Sequence, residues 1–214
     1  MKIWGVIPVK PFGEGKSRLS GRLNPSDRGE LSRKLLAGVI QVIQESAVCT
    51  EILVISRDRS VLSFADQLGT RTLLERGSSF GQESNSQDNL NSALTQAQSE
   101  IIRQQADALL VLPADLPYLT TSDLTTLSQT AEEEESVVIA PSHDGGTNAL
   151  LLRPPGCIRF DFGLNSCANH QRRAVENGLP FKLVHSDTLA FDLDQPKDLH
   201  RWSQGNDLRL TIVD

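Results

Sequence analysis

Leu109-Leu110-Val111-Leu112-Pro113-Ala114-Asp115-Leu116-Pro117 is the stretch whose reading decides the fold. Its apolar run, without polar alternation, describes a strand buried on both faces. The strand runs straight into an acid held between two prolines. Pro113 and Pro117 restrict the backbone on either side, so Asp115 is expected at a reproducible position at the strand's end. In open α/β sheets, ligands bind just beyond the carboxyl ends of strands. A carboxylate there is well placed to hold a metal ion against a phosphate. Taken alone, the stretch reads equally well as a surface turn with an incidental Asp.

On either side of it, strand-like and helix-like segments alternate. Ile3–Pro8 reads as a strand, followed by a polar loop over 9–21. Asn24-Pro25 supplies an N-cap and a first-turn proline, and Asp27 suits the helix's positive end. Leu31, Leu35, Val39, Ile40 and Ile43 then recur at helical spacing. Glu51–Ser56 is a strand, 61–68 a short helix stopped by Gly69, and Arg71–Leu74 a strand. A glycine-rich polar loop over 77–88 leads to a helix over 89–103, with Leu90, Leu94, Ala97 and Ile101 toward the core. After Asp115, Ser122 is expected to cap a helix that ends in the acidic run 132–135, a solvated face. Ser136–Pro141 and 148–152 are further strands. A helix over 165–177 is stopped by Gly178, strands follow at 182–185 and 189–193, and Pro196 begins a last helix. No repeat or linker divides the chain, so 1–214 is expected to be a single domain. The pattern predicts a three-layer, Rossmann-like α/β fold around a mixed, mostly parallel sheet, with an antiparallel strand among the later ones.

The chain has 214 residues, 38% of them apolar and 22% charged, and a formal net charge of -6. The acidic balance argues against non-specific binding of nucleic acid or anionic membranes, but not against a phosphorylated small molecule met by a local basic pocket. No apolar run approaches the ~20 residues of a membrane span. Met1-Lys2-Ile3-Trp4-Gly5 passes directly into a strand, without a signal peptide's apolar region. Cys49, Cys157 and Cys167 are odd in number and share no metal spacing, so cytoplasmic residence with reduced thiols is expected.

The first loop concentrates cations where phosphates bind. Lys10, Lys16 and Arg18 surround Gly13 and Gly15 between a strand and a helix. Glycines let backbone approach closely, and the cations can neutralise charge developing on a triphosphate. The loop is not a P-loop: Gly15-Lys16-Ser17 imitates its tail, but the first glycine position holds Lys10, followed by Pro11. Asp144-Gly145-Gly146-Thr147 suits an anion or a plain hairpin turn. Gly163-Leu164-Asn165-Ser166 enters a helix, where Asn165 or Ser166 is a candidate cap and the N-terminus a candidate anion site. Asp192 and Asp194 would share a face on a strand, and a carboxylate facing Asp115 would complete a Mg²⁺ site; alternatively Asp194 caps the Pro196 helix. No metal-ligand spacing joins His143, His170, His185 and His200, and no catalytic histidine is assigned. No nucleophile motif surrounds Ser17, Ser166 or the cysteines.

IPVKPFGEGKSRLS, LNSAL (90–94), LLVLPADLP, DGGTNALLL, FGLNS and FDLDQPKDL follow in this order across nearly the whole chain. Together they resemble the 2-phospho-L-lactate or phosphoenolpyruvate guanylyltransferases of deazaflavin coenzyme F-420 biosynthesis, and more broadly the GT-A-type nucleotidyltransferases. The resemblance implies that Lys10, Gly13, Gly15, Lys16 and Arg18 wrap the GTP phosphates. Ser84 and Asn91 would help to recognise the base. Asp115, Asp192 and Asp194 would hold Mg²⁺, and Thr147, Gly163 and Ser166 would receive the small phosphorylated acid. Lys16, Arg18 and Asp115 would carry the catalysis. The chain departs from the family pattern over 81–88 and at Gln195, where the family often has Thr.

What the resemblance implies is attack by the acid's phosphate on the α-phosphorus of GTP, with release of pyrophosphate. Phosphoenolpyruvate, 2-phospho-L-lactate and 3-phosphoglycerate are left open as acceptors. So are a homodimer and contact with the next enzyme of the pathway, which would consume a labile diphosphate ester. The rival readings are a sister transferase that loads CMP or GMP onto a sugar acid or molybdopterin, and a non-catalytic nucleotide-binding protein.

Overall fold

Side chains of successive strand residues point to opposite faces of a sheet, so strands apolar throughout need cover on both sides. That demand organises this chain. The computed structural model describes residues 1–76, 86–131 and 135–203. Their strands are β1 (Ile3–Pro8), β2 (Glu51–Ser56), β3 (Arg71–Leu74), β4 (Ala108–Val111), β5 (Ser136–Pro141), β6 (Thr147–Arg153) and β7 (Phe181–Leu183). The helices are α1 (Pro25–Ser46), α2 (Arg59–Gln67), α3 (Ser86–Arg103), α4 (Thr121–Thr130), α5 (Ser166–Glu176) and α6 (Pro196–Ser203).

The strands form one sheet in the order β3-β2-β1-β4-β6-β5-β7. β1 pairs in parallel with β2 and β4, β2 with β3, and β5 with β7. Only β6 runs the other way, antiparallel to both β4 and β5. On one face, Ile3, Ile7, Ile52, Val54, Ala108, Leu110, Val138 and Leu151 pack against α1, α2 and α4. On the other, Trp4, Val6, Leu53, Leu109, Val111, Val137 and Leu150 pack against α3 and α5. Three layers follow from this alternation, as expected. β3 and β7, at the edges, carry the exposed side chains.

The expected caps are partly corrected. Asn24 does cap α1, its side chain accepting the Asp27 N–H. Ser122 is not the cap of α4. Thr120 holds that place in a reciprocal box with Asp123, since its hydroxyl and the Asp123 carboxylate satisfy each other's backbone N–H. At α5, Asn165 stands at the N-cap in the left-handed region and makes no side-chain capping bond. The segment 189–193 is irregular rather than a strand. It is fixed instead by a third small core, in which Phe191, Leu193 and Leu199 meet Leu19, Leu23, Leu31 and Leu35. The acidic residues 132–134 lie outside the described residues.

Candidate active site

The sheet's direction of growth reverses between β1 and β4: β2 and β3 extend it on one side, β4 and later strands on the other. The crevice beyond the carboxyl ends of such a pair is where open α/β sheets bind ligands. Here it is a cleft of about 520 Å³. Lys10, Gly15 and Lys16 from the first loop line it, as do Asp115, Gly163 and Asp194.

The first loop is built rather than loose. Phe12 and Leu19 are buried in two different cores and pin it at both ends. Between them, Glu14 and Gly15 donate to the Pro11 carbonyl, and Ser17–Leu19 forms a turn of 3-10 helix. Lys16 takes a left-handed conformation, which aims its side chain across the cleft. Its Nζ lies 2.5 Å from Asp115 Oδ2, with the lysine side chain only 8% exposed. A Cβ added at Gly15 would come within 3.2 Å of the Ser32 hydroxyl, so close packing holds this glycine. Gly13 is exposed, and a Cβ there would meet open space.

The opposite wall is acidic through Asp115 and Asp194, while Asp144 and Asp192 line an adjoining pocket that shares Asp194 with the cleft. Leu193 N–H donates to the Asp115 carbonyl at 3.0 Å, which fastens the irregular 189–195 segment beside the Pro113–Pro117 turn. Asp194 reaches Arg18 at 2.5 Å. Asp198, in the first turn of α6, accepts the Asp194 and Gln195 N–H groups and so ties the segment before the helix to it. Asp192 is half-buried. Burial raises its carboxyl above the ordinary aspartate range, the Asp115 charge and more weakly the Asp144 charge add to this, and the Asn148 amide opposes it. Ser142 holds Asp144 low, against its own burial and with help from Gly146 N–H and the Arg18 charge.

Among the described residues, no group of three or more His, Cys, Asp or Glu side chains is arranged to hold a metal ion unaided. Mg²⁺ does not need one: it takes one or two carboxylates and completes its shell with phosphate oxygens and water. Two carboxylates whose charges oppose each other, Asp115 and Asp192, fit that chemistry. Cations already engage two of the three acids: Lys16 pairs with Asp115 and Arg18 with Asp194.

Thr147, Ser166 and Gly163 come together next to the acidic wall. The hairpin between β5 and β6 docks on α5 through Cys167 N–H to the Gly145 carbonyl, and Ser166 N–H donates to the Gly163 carbonyl. Gly163 lines the cleft at φ +136°, a conformation that suits glycine. Thr147 and Ser166 are buried, and the Ser166 hydroxyl donates to Thr147 Oγ1 at 3.2 Å.

His170, to which the sequence assigned no role, organises this cluster. The Asp161 N–H donates to Nε2 at 3.1 Å, so Nδ1 carries the proton of the neutral ring and donates to Thr147 Oγ1 at 3.0 Å. Phe162 packs edge-on against the imidazole. Burial pushes the His170 pKa down to about 4; the Asp161 charge opposes this and the Arg173 charge assists it. The spacing of Ser166 and His170, one turn apart on α5, was the available signal.

Asn91 is turned to the same loop. Its amide donates to the Phe162 carbonyl at 3.1 Å and accepts the Phe162 N–H at 2.9 Å, which clamps the backbone next to Gly163. Ser84 lies outside the described residues. Burial drives the Cys49 and Cys157 thiols up to about 12 and about 11, so neither is poised as a nucleophile.

Known proteins resemble the chain in sequence and in fold. The profile of the family described as guanylyl transferase CofC like matches residues 1–207. A phosphoenolpyruvate guanylyltransferase of Rubrobacter xylanophilus is 38% identical over 202 residues, covering 94% of this chain and 93% of that protein. A 2-phospho-L-lactate guanylyltransferase of Methanothermobacter thermautotrophicus is 35% identical, covering 93% and 83%. Among solved structures, a protein of Desulfovibrio desulfuricans G20 described as a nucleotide-diphospho-sugar transferase superposes with a TM-score of 0.73 at 14% identity, over 99% of this chain and 92% of that one. A nucleotidyl transferase of Methanothermobacter gives a TM-score of 0.58 at 16% identity, over 95% and 97%.

Proposed function

The chain belongs to the CofC-like guanylyl transferases, and from that premise we propose that it moves GMP from GTP onto the phosphate of a small phosphorylated acid, in the biosynthesis of coenzyme F-420. One observation carries the reading: Lys16 and Asp115, brought from opposite loops, face each other within the cleft at the β1/β4 switch point. Phosphoenolpyruvate is the first acid to test, because relatives at 38% and 37% identity bear that name.

The chemistry needs little from the protein beyond placement and charge. An oxygen of the acid's phosphate forms a bond to the α-phosphorus of GTP. The bond from that phosphorus to the bridging oxygen of the β-phosphate breaks, and pyrophosphate leaves with the electron pair. The attacking phosphate is already ionised near neutral pH, so no general base is required. Lys10 and Lys16 draw the triphosphate into the cleft, and Lys16 and Arg18 balance charge on the transferred and leaving groups. Backbone at Gly15 gives the phosphates close access, and exposed Gly13 extends the same loop. Thr147, Gly163 and Ser166 form the side of the site that takes the acid. Asp115 and Asp192 are the residues suited to Mg²⁺, with Asp194 beside them; when bound, the ion would neutralise phosphate charge.

No helix among the described residues is long and apolar enough to cross a membrane. Cytoplasmic residence suits the three free cysteines and a nucleotide substrate.

The test is pyrophosphate release by the purified chain with Mg²⁺ and GTP, adding phosphoenolpyruvate, 2-phospho-L-lactate and 3-phosphoglycerate in turn. Release that needs both GTP and one acid is expected. Release with CTP and not GTP, or none with any acid even with the next pathway enzyme drawing off product, would move the chain to a sister transferase or a binding role.

A further inference from the structure

We infer that Glu75 reads the guanine base, accepting its N1–H and its exocyclic amine; this deepens the guanylyl reading and rests on it.

Glu75 stands just past the end of β3 and lines the cleft at the side away from Gly163 and Asp194. Apolar groups from Pro8, Ile55, Leu90 and Ala93 line the same space and offer walls for a flat ring. The backbone on both sides of Glu75 is locked. Gln96 of α3 donates from Nε2 to the Leu74 carbonyl at 2.9 Å and accepts the Arg76 N–H at 2.8 Å. Between those two bonds, Glu75's own N–H donates to the Ser56 carbonyl of β2 at 2.9 Å. A residue held this firmly by its backbone has a side chain with a defined origin and direction.

That side chain is half-buried, and among the described residues its carboxylate accepts no hydrogen bond. Burial raises the Glu75 carboxyl above the ordinary range, and the Arg57 charge opposes this. Arg57 itself is paired with Glu14. Among the described residues, Glu75 is therefore a half-buried acceptor with no donor on its carboxylate.

The Watson–Crick edge of guanine presents two neighbouring donors in one plane, N1–H and N2–H₂, which match the two oxygens of a carboxylate. Adenine and cytosine place a ring-nitrogen acceptor at the corresponding position, which a carboxylate repels. Uracil offers one N–H flanked by carbonyls. Glu75 thus both selects guanine and rejects the other bases.

The experiment measures the affinities of GTP, ATP, CTP and inosine triphosphate by calorimetry, with turnover in parallel. Inosine differs from guanine only in lacking the 2-amino group. The wild type is expected to prefer GTP to inosine triphosphate by about 10-fold or more, the usual contribution of a hydrogen bond to a charged group. Glu75→Gln keeps the shape but sets an amide N–H against the guanine donors. It is expected to weaken GTP by about 10- to 100-fold and to bring the GTP-to-inosine ratio close to one, with the thermal midpoint unmoved. Glu75→Asp retains two acceptor oxygens and is expected to keep part of the preference. Equal binding of the two nucleotides by the wild type, or an unchanged ratio in Glu75→Gln, would overturn the inference while leaving guanylyl transfer intact. A wild type that selects CTP or ATP over GTP would overturn the guanylyl reading, and this inference with it.

Discussion

Asp115 lies beyond the last paired residue of β4, yet its surroundings hold it on several sides. Leu193 N–H binds its carbonyl, Lys16 Nζ meets its carboxylate, and Pro113 and Pro117 limit the chain around it. Lys16 supplies the reciprocal half: a lysine side chain only 8% exposed is kept there by an acid. A triphosphate entering the cleft would meet a cation already aimed and already stripped of much of its water, which strengthens its effect on phosphate charge. Asp115→Asn keeps the side chain's shape and one acceptor oxygen, so the variant is expected to fold. Its turnover is expected to fall by at least about 100-fold, the scale of losing one preorganised charge contact in an active site. Circular dichroism together with pyrophosphate release at saturating Mg²⁺ checks this. Near-wild-type rates would sink the assignment of Asp115 to the metal and the chemistry.

At the scale of elements, α3 has a double role. One face buries Leu94, Ala97 and Ile101 against the sheet. Two amides, Asn91 and Gln96, clamp the backbone of two different cleft-lining segments, at Phe162 and around Glu75. One helix thereby sets the spacing between the two ends of the cleft. Asn91→Ala would leave the Phe162 N–H and carbonyl without these partners and loosen the loop at Gly163. The expected result is a higher KM for the phospho acid, with the KM for GTP changed less, and a midpoint lower by several degrees at about 2–4 °C per kcal/mol. A rise confined to the KM for GTP would instead make Asn91 a base contact. The periodicity of α3 and its apolar face were legible in the sequence, because helical spacing is a local property. Its clamps were not: an amide at position 91 gives no sign that its partner lies at position 162. The same limit explains the segment 189–193. Its alternating residues suggested a strand, but one backbone bond to Asp115 and the small core around Leu19 and Leu193 hold it without a ladder. The cations of the first loop were legible as composition, whereas Phe12 and Leu19, which make that loop rigid, read as ordinary loop residues.

For the whole molecule, the one antiparallel strand matters most. Because β6 runs against its neighbours, its first residues, Thr147 and Asn148, lie at the same end of the sheet as the carboxyl ends of β1 and β4. The hairpin after β5 is thereby delivered to the cleft, and α5 is packed behind it with His170 at the joint. That joint ties stability to pH. His170 is fully buried, and its pKa is pushed down to about 4, whereas in the unfolded chain it titrates near 6.5. Between those values the unfolded chain binds the proton and the folded chain does not, so stability falls as pH falls from about 6.5 to about 4. The largest loss from this group is about 3 kcal/mol, a sizeable part of the roughly 5–15 kcal/mol that holds a domain together. Asp123 acts in a lower window. Hydrogen bonds from Ser186, Thr120 and Thr188 hold its carboxyl below the ordinary aspartate range in spite of burial, so its contribution is present above the unfolded value near 3.9 and is lost only as pH falls through the folded one. The two groups are separable by substitution. His170→Gln is expected to be less stable than the wild type at pH 7.5, where the neutral ring makes both of its hydrogen bonds. Lacking a group that titrates in this range, the variant is expected to lose less on acidification, so that the two unfolding free energies converge as pH is lowered from 6.5 to 4.5. Urea titrations at a series of pH values measure this directly. Parallel pH slopes for the two proteins would show that the acid sensitivity of the fold resides elsewhere than in the joint between β6 and α5.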